Sequence, residues 1–237
     1  MCTVTIVPDA DGFRLMCNRD EQRKRAAALA PTRHVLVNGV AVYPIDPVGG
    51  GTWVGVNDAG IAAAILNRTV TTGGSRLTPN LRSRGLIVPA LLQCRSLRDA
   101  LDVAACIDVS TFNPFRLVVV QPMAATIFRS DGASLTVHSI DPSRPCMLTS
   151  SSLGDRFVET PRTELFERLV VRHKGDAFDG PARFHAHRWP SRGALSVTME
   201  RSDARTVSRT TISVTSWGIE LRYDPMDARP PYVVQAR

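Results

Sequence analysis

The chemistry of this chain starts at position 2. Cysteine there is small enough for methionine aminopeptidase to remove Met1, which would leave a nucleophilic sulfur and a free α-amine on one residue. An α-amine titrates near ~7.7 to 8.0 in model peptides, so it can take up a proton at neutral pH without special tuning. Thiol attack on an amide carbonyl would then give an acyl-enzyme that water hydrolyses. Residues 2 to 8 are rich in β-branched types and meet the turn cluster Asp9-Ala10-Asp11-Gly12, after which Phe13 to Arg19 run as a second extended segment. A loop centred between Ala10 and Asp11 pairs residues whose numbers sum to 21, setting Cys2 opposite Arg19; an odd loop breaks that register. Opposite residues have Cβ atoms about 5 Å apart, close enough for a guanidinium to favour a thiolate. Asn18, Asp20 and Glu21 flank Arg19. Asp20 could orient the ammonium form of the amine, or it could cap a helix beginning at Glu21.

The elements that must hold these groups read as many short antiparallel strands with a few helices, an α+β layered fold. Glu21 to Ala30 is charged and Ala-rich enough for a short helix ended by Pro31. Asn38-Gly39 between apolar runs predicts a second hairpin over Val35 to Val42. Gly49-Gly50-Gly51-Thr52-Trp53-Val54-Gly55-Val56 enters a strand rather than a helix and carries no Lys-Ser/Thr, so its glycines indicate close backbone approach, not a phosphate loop. Asn57 to Gly60 turns into the apolar strand Ile61 to Asn67. Arg68 to Arg84 is a long polar loop of the kind that covers a site. Helices are expected over Leu86 to Gln93, over Leu97 to Ile107 with Ser96 as N-cap and Asp99 three residues on, and over Pro161 to Arg172 with Pro161 in the first turn. Strands are expected at Phe115 to Gln121, Ala125 to Arg129, Leu135 to Ile140, Leu195 to Met199, Thr206 to Ser216 and Ile219 to Tyr223, with residues 174 to 192 irregular.

Composition narrows the function. A chain of 237 residues with 43% hydrophobic content can bury a full core, and one domain over 1–237 is the expectation. No apolar run is long enough to span a bilayer and no signal-peptide pattern opens the chain, which predicts a cytoplasmic protein. Five dispersed cysteines without a CxxC pair argue against a disulfide scaffold or structural zinc. The net charge of +7 is spread over scattered arginines with only 6% aromatics, which does not make a nucleic-acid surface. His185 and His187 alternate as in a strand and could face a metal with His173, but no third type of ligand joins them. No metal and no cofactor is expected.

Met1-Cys2-Thr3, Asn18-Arg19-Asp20-Glu21 and Gly50-Gly51-Thr52-Trp53-Val54-Gly55-Val56 together resemble the hallmarks of the NRDE family, whose animal members are named for transport and Golgi organisation. Asn113-Pro114-Phe115, Thr149-Ser150-Ser151 and Glu159-Thr160-Pro161-Arg162 resemble later segments, so the likeness spans most of the chain. That family is similar to N-terminal-nucleophile (Ntn) hydrolases of the penicillin V acylase and bile-salt hydrolase type. The resemblance implies a four-layer αββα sandwich, Cys2 as nucleophile, Arg19 and Asp20 as its neighbours, and Asn67 as an oxyanion contributor. It implies Asn18, Trp53, Ser150 and Arg205 as substrate contacts. One departure stands out. Where many relatives have a Ser-Asn pair, this chain has Thr149-Ser150-Ser151-Ser152, and losing one oxyanion donor costs about 10² to 10³ in rate. The expected function is therefore hydrolysis of a small N-acyl amide. The alternative is a non-catalytic binding or trafficking protein for an apolar ligand such as haem or an acyl chain. Oligomeric state is not legible.

Overall fold

The computed structural model describes residues 2–69, 81–172 and 179–237. The chain opens with β1 (Cys2–Asp9) and β2 (Gly12–Gln22), followed by β3 (Leu29–Leu36), β4 (Gly39–Ile45), β5 (Val54–Asn57) and β6 (Ala62–Asn67). A 3-10 turn at Arg84–Leu86 leads into α1 (Ile87–Leu91) and α2 (Leu97–Ala105). Then come β7 (Phe115–Gln121), β8 (Ala124–Ser130), β9 (Leu135–Ile140) and β10 (Cys146–Thr149). Helix α3 (Asp155–Phe166) runs on into a π-helical turn, and α4 (Asp179–Ala186), β11 (Ala204–Thr215), β12 (Gly218–Pro225) and β13 (Tyr232–Gln235) complete the described elements.

The strands form two antiparallel sheets, ordered β10-β1-β2-β11-β12-β13 and β3-β4-β5-β6-β7-β8-β9. Successive side chains of a strand point to opposite faces, so each sheet can bury both. Cys2, Val4, Ile6, Leu15 and Cys17 share one apolar cluster with Val54, Val56 and Val118 of the other sheet. On the outer face of the first sheet Val7 packs with Leu165, Phe166 and Phe184 of α3 and α4. Ile87, Leu91, Ala100 and Ala104 of α1 and α2 cover the outer face of the second sheet. The order is α, β, β, α.

Local rules account for much of this. In the β1–β2 hairpin Asp9 pairs with Gly12 across the Ala10–Asp11 loop, and the register runs back to Cys2 opposite Arg19. Ser96 caps α2 by accepting from Asp99 N (3.1 Å) while Asp99 accepts from Ser96 N (3.1 Å), a reciprocal capping box. A side chain at Gly51 would collide with the Gly85 carbonyl, which accepts from Thr52 N at 3.0 Å. Gly51 thus lets two backbones touch, and the touching backbone is the one that carries Arg84. The β3–β4 loop is Val37–Asn38, with Leu36 paired to Gly39, so the turn sits one residue earlier than the Asn-Gly pair.

Four expectations from sequence are corrected. Glu21 to Ala30 is no helix: β2 runs past the end of its β1 pairing at Arg19 and continues through Gln22 along β11, with Glu21 opposite Arg205 and Gln22 opposite Ala204, and β3 begins at Leu29. Pairing with β11 outweighs a weak helical propensity. Pro161 lies inside α3, not in its first turn. That helix starts earlier, at Asp155, whose carboxylate accepts from Ser151 N (3.0 Å) and Thr69 N (3.1 Å). Residues 195 to 199 form turns, because Arg162 and Asn18 take the Leu195, Ser196 and Val197 carbonyls that a sheet neighbour would need. Helix α4 falls within the segment expected to be irregular, so His185 sits in a helix and does not alternate with His187. His173 and most of the 68–84 loop lie outside the described residues. Among the described residues no helix is long and apolar enough to cross a membrane.

Candidate active site

Cys2 begins a strand buried between two neighbours, β10 and β2, and is itself 5% exposed. The residue belongs to the apolar cluster between the sheets, yet it also forms part of the wall of a cleft of about 520 Å³. Four more residues singled out from sequence, Arg19, Asp20, Trp53 and Asn67, line the same cleft. Strands β1, β2 and β6 and the segment before β5 bring them together.

Arg19 and Cys17 lie on the face of the sheet that carries Cys2. The Cys17 thiol hydrogen-bonds to the Cys2 sulfur and is the main reason the Cys2 thiol sits below its ordinary pKa; burial opposes this and the Arg19 charge assists. The same contact, with burial, pushes the Cys17 thiol well up. One sulfur of the pair is thereby favoured as thiolate and the other as thiol. Arg19 itself is committed elsewhere: its Nη2 bonds Asp46 at 2.9 Å and Glu21 at 3.3 Å, and its guanidinium lies 4.4 Å over the Trp53 ring. Trp53 is a platform for the arginine. Arg25 closes the group from the far side, with Nη2 2.8 Å from Asp46. Burial raises the pKa of Asp46, but the hydrogen bond from Arg25 and the charges of Arg19 and Arg25 outweigh it and hold the carboxyl below its usual value.

Asp20 projects from the opposite face of β2 and is buried, which pushes its carboxyl up against the pull of Arg162. Thr206 Oγ1 donates to it at 2.6 Å. The Cys2 nitrogen donates to Ser150 Oγ at 3.2 Å, and Ser150 N donates to the Cys2 carbonyl at 3.0 Å. Ser150 therefore contacts the backbone of Cys2 and is not among the residues that line the cleft. Asn67, at the end of β6, has no side-chain hydrogen bond among the described residues, which leaves its amide N–H groups available to the cleft.

Two other candidates lie away from this wall. Asn18 is fully buried on the helix side: its Nδ2 donates to the His185 and Val197 carbonyls, both at 2.9 Å, and its Oδ1 meets His185 Nδ1 at 3.0 Å. It is a clasp between sheet and helix. Arg205 pairs with Glu21 in the β2–β11 ladder and lines a smaller adjoining hollow of about 80 Å³ that also touches Arg19.

Sequence reasoning missed Asp46, Arg201, Asn113 and Ser152 in the main wall. They come from separate loops, and nothing in their spacing marks them. It also missed Arg162, which is 1% exposed and reaches from α3 to Thr3 Oγ1 (2.8 Å), Thr149 Oγ1 (2.7 Å) and the Ser196 carbonyl (2.6 Å), directly behind Cys2 and Ser150.

The αββα layers define an Ntn-hydrolase-like fold, with a strand-initial cysteine in the wall of its cleft. Residues 1–170 match the family model described as Transport and Golgi organisation 2, and the chain belongs to that family. A comparison with curated protein sequences finds no match. Among solved structures, the chain is similar to a penicillin V acylase from Agrobacterium tumefaciens, with TM-score 0.56 and 12% identity over 99% of this chain and 86% of that one. It is similar to a Caenorhabditis elegans ortholog of N-acylethanolamine-hydrolyzing acid amidase, with TM-score 0.62 and 10% identity over 89% and 92%. A mutant of conjugated bile acid hydrolase from Clostridium perfringens aligns with TM-score 0.57 and 12% identity over 99% and 92%. At these identities the likeness establishes the fold alone.

Proposed function

We propose that this protein is an N-terminal-nucleophile amidohydrolase that cleaves a small N-acyl amide through Cys2 after removal of Met1. The observation that carries the reading is the placement of Cys2: it lies in the wall of a cleft shared with Arg19, Asp20 and Asn67, and its nitrogen is hydrogen-bonded to Ser150 Oγ.

The steps follow from those groups. With Met1 gone, the Cys2 nitrogen is an α-amine held by Ser150, and it accepts the thiol proton as the sulfur attacks the carbonyl carbon of the amide. Asn67 Nδ2 donates to the developing oxyanion. The α-ammonium returns its proton to the leaving amine, the C–N bond breaks, and a thioester remains on Cys2. Water, deprotonated by the same amine, attacks the thioester and releases the carboxylic acid and the free thiol. Asp20 favours the ammonium form during both steps by its charge, and the Arg19–Asp46–Trp53 group keeps the wall of the cleft in place. A family position that elsewhere carries asparagine is serine here, so Asn67 bears the oxyanion alone with whatever backbone N–H the substrate meets.

A carrier for haem or a long acyl chain fits the cleft poorly. Arg19, Asp20, Glu21, Asp46, Arg84 and Arg201 are among its lining residues, and apolar ligands select predominantly apolar walls. The test is amine release from a panel of short N-acyl amides. The reading expects turnover by the mature protein and a loss of at least about 10³ in Cys2→Ala, which removes the nucleophile altogether. Equal residual turnover in Cys2→Ala would refute it.

A further inference from the structure

The charges in the cleft do not all have partners. Asp46 and Glu21 are taken by Arg19 and Arg25, and Asp203 by Arg201. Arg84 has no ion-pair partner among the described residues. Its Nη1 donates to the Pro114 carbonyl at 2.9 Å, which fixes the guanidinium, and its remaining N–H groups have no hydrogen-bond partner among the described residues. Residues 70–80 contain no Asp or Glu, so that stretch of the chain has no carboxylate to offer. The backbone on which Arg84 rides is pinned by the Gly51–Gly85 contact, and Arg84 opens the 3-10 turn before α1. Arg82, two residues earlier, lines the same wall and lies 5.1 Å over the Phe112 ring, again without a carboxylate. Burial lowers the Arg84 pKa against the pull of Cys2 and Glu21, as befits a cation sunk into the protein without its own counter-ion.

A half-buried guanidinium that is fixed, uncompensated and in the wall that holds the nucleophile is a site for an anion. We infer that Arg84, supported by Arg82, forms an anion subsite beside Cys2, and that the amide cleaved there carries an acidic group on its amine side. This rests on the hydrolase reading for the word "cleaved", not for the anion subsite itself. The planar fork suits a carboxylate or a phosphate equally, and the two differ in size and charge.

The experiment uses three matched amides: N-butanoylethanolamine, which is neutral, its O-phosphate ester, and N-butanoylglycine. Turnover is measured with the mature protein, and binding by calorimetry with Cys2→Ala, each with and without Arg84→Gln or Arg84→Lys. The inference expects at least one anionic amide to be favoured over the neutral one by tenfold or more, in kcat/KM and in Kd. It expects Arg84→Gln to shrink that ratio by about tenfold, and Arg84→Lys to keep an intermediate ratio because the charge remains. Because the readout is a ratio on the same variant, a general loss of stability cancels. The preferred anion tells carboxylate from phosphate. Selective binding by Cys2→Ala without turnover by the wild type would sink the hydrolase reading and leave the anion subsite standing. No preference for either anion in the wild type, or an unchanged preference in Arg84→Gln, would overturn the subsite, whatever the turnover.

Discussion

Arg19 lies opposite Cys2 in the first hairpin, yet its guanidinium is bonded to Asp46, 2.9 Å away in the loop that leaves β4 of the other sheet. The arginine that the hairpin register aims at the sulfur is thus also a strut between the two sheets, stacked on Trp53. Its charge still favours the Cys2 thiolate, but as the smaller contribution beside the Cys17 hydrogen bond.

Removing Asp46 leaves the buried Arg19 guanidinium with only its longer contact to Glu21, at 3.3 Å. Asp46→Ala is expected to cost about 3 kcal/mol of stability, the lower end of the range for breaking a buried pair, since Asp46 keeps some solvent contact. Urea denaturation checks this through a lower midpoint at unchanged slope. A change under 0.5 kcal/mol would place the pair among ordinary surface bridges.

The same pair makes an acid limb. The Asp46 carboxyl titrates below its unfolded value, so the stability it contributes is complete above about pH 3.9 and is lost as pH falls from there through the folded pKa. Comparing melts of wild type and Asp46→Asn between pH 6 and pH 3 tests the sign: the difference between them should narrow as pH falls.

His185 predicts a separate limb at milder pH. It is fully buried, and because Asn18 Nδ2 donates to two carbonyls, Asn18 Oδ1 must accept, which assigns the proton to His185 Nδ1. Nε2 then accepts from Thr5 Oγ1 at 2.8 Å. Burial, with the charges of Arg209 and Arg162, holds its pKa well below the ordinary value. The unfolded chain binds that proton below about pH 6.5 while the folded one does not, so stability should decline there by up to about 1.4 kcal/mol per pH unit. His185→Gln should flatten the slope between pH 7.5 and pH 5.5. A slope unchanged in that variant would show that the ring does not carry it.

Cys17 should govern the reactivity of Cys2. Cys17→Ala removes the hydrogen bond that chiefly lowers the Cys2 pKa, so less thiolate remains at pH 7 and alkylation of Cys2 by iodoacetamide should slow several-fold. Following the rate against pH, site by site, checks this. An identical profile in wild type and Cys17→Ala would place the thiol contact outside the chemistry.

How legible was all this in the sequence? The first hairpin was, because Asp9 to Gly12 is a strong turn cluster and a two-residue loop fixes every pairing back to Cys2. The capping box at Ser96 and Asp99 and the strands β7 to β9 follow local rules equally well. What stayed hidden depends on contacts distant in sequence. Residues 195 to 199 have a strand's composition but lose their carbonyls to Arg162 and Asn18, and Glu21 is drawn into a ladder with Arg205 rather than a helix. Within the site, Cys2, Arg19 and Asp20 share one hairpin and could be read together. Asp46 and Arg201 arrive from two different loops, and only folding makes them neighbours of that hairpin. Asn18 illustrates the opposite error: adjacent to Arg19 in sequence, it faces the other side of the sheet.

Arg162 was visible only as a letter in a familiar run, and it holds four segments at once. Arg162→Met should cost about 3 kcal/mol or more, because several buried acceptors lose their donor together. Thermal melts would show it. A loss below 1 kcal/mol would mean that water replaces the guanidinium without penalty.

The central claim is that the mature chain begins at Cys2 and that its sulfur carries the acyl group. Mass spectrometry of the intact protein, acid-quenched during turnover of an N-acyl amide and then mapped by peptide, tests both parts at once. The account predicts a chain lacking Met1 with an acyl-sized mass increase confined to the peptide that starts at Cys2. Active protein that retains Met1, or an adduct borne by Cys17, Cys94, Cys106 or Cys146 instead, would contradict it.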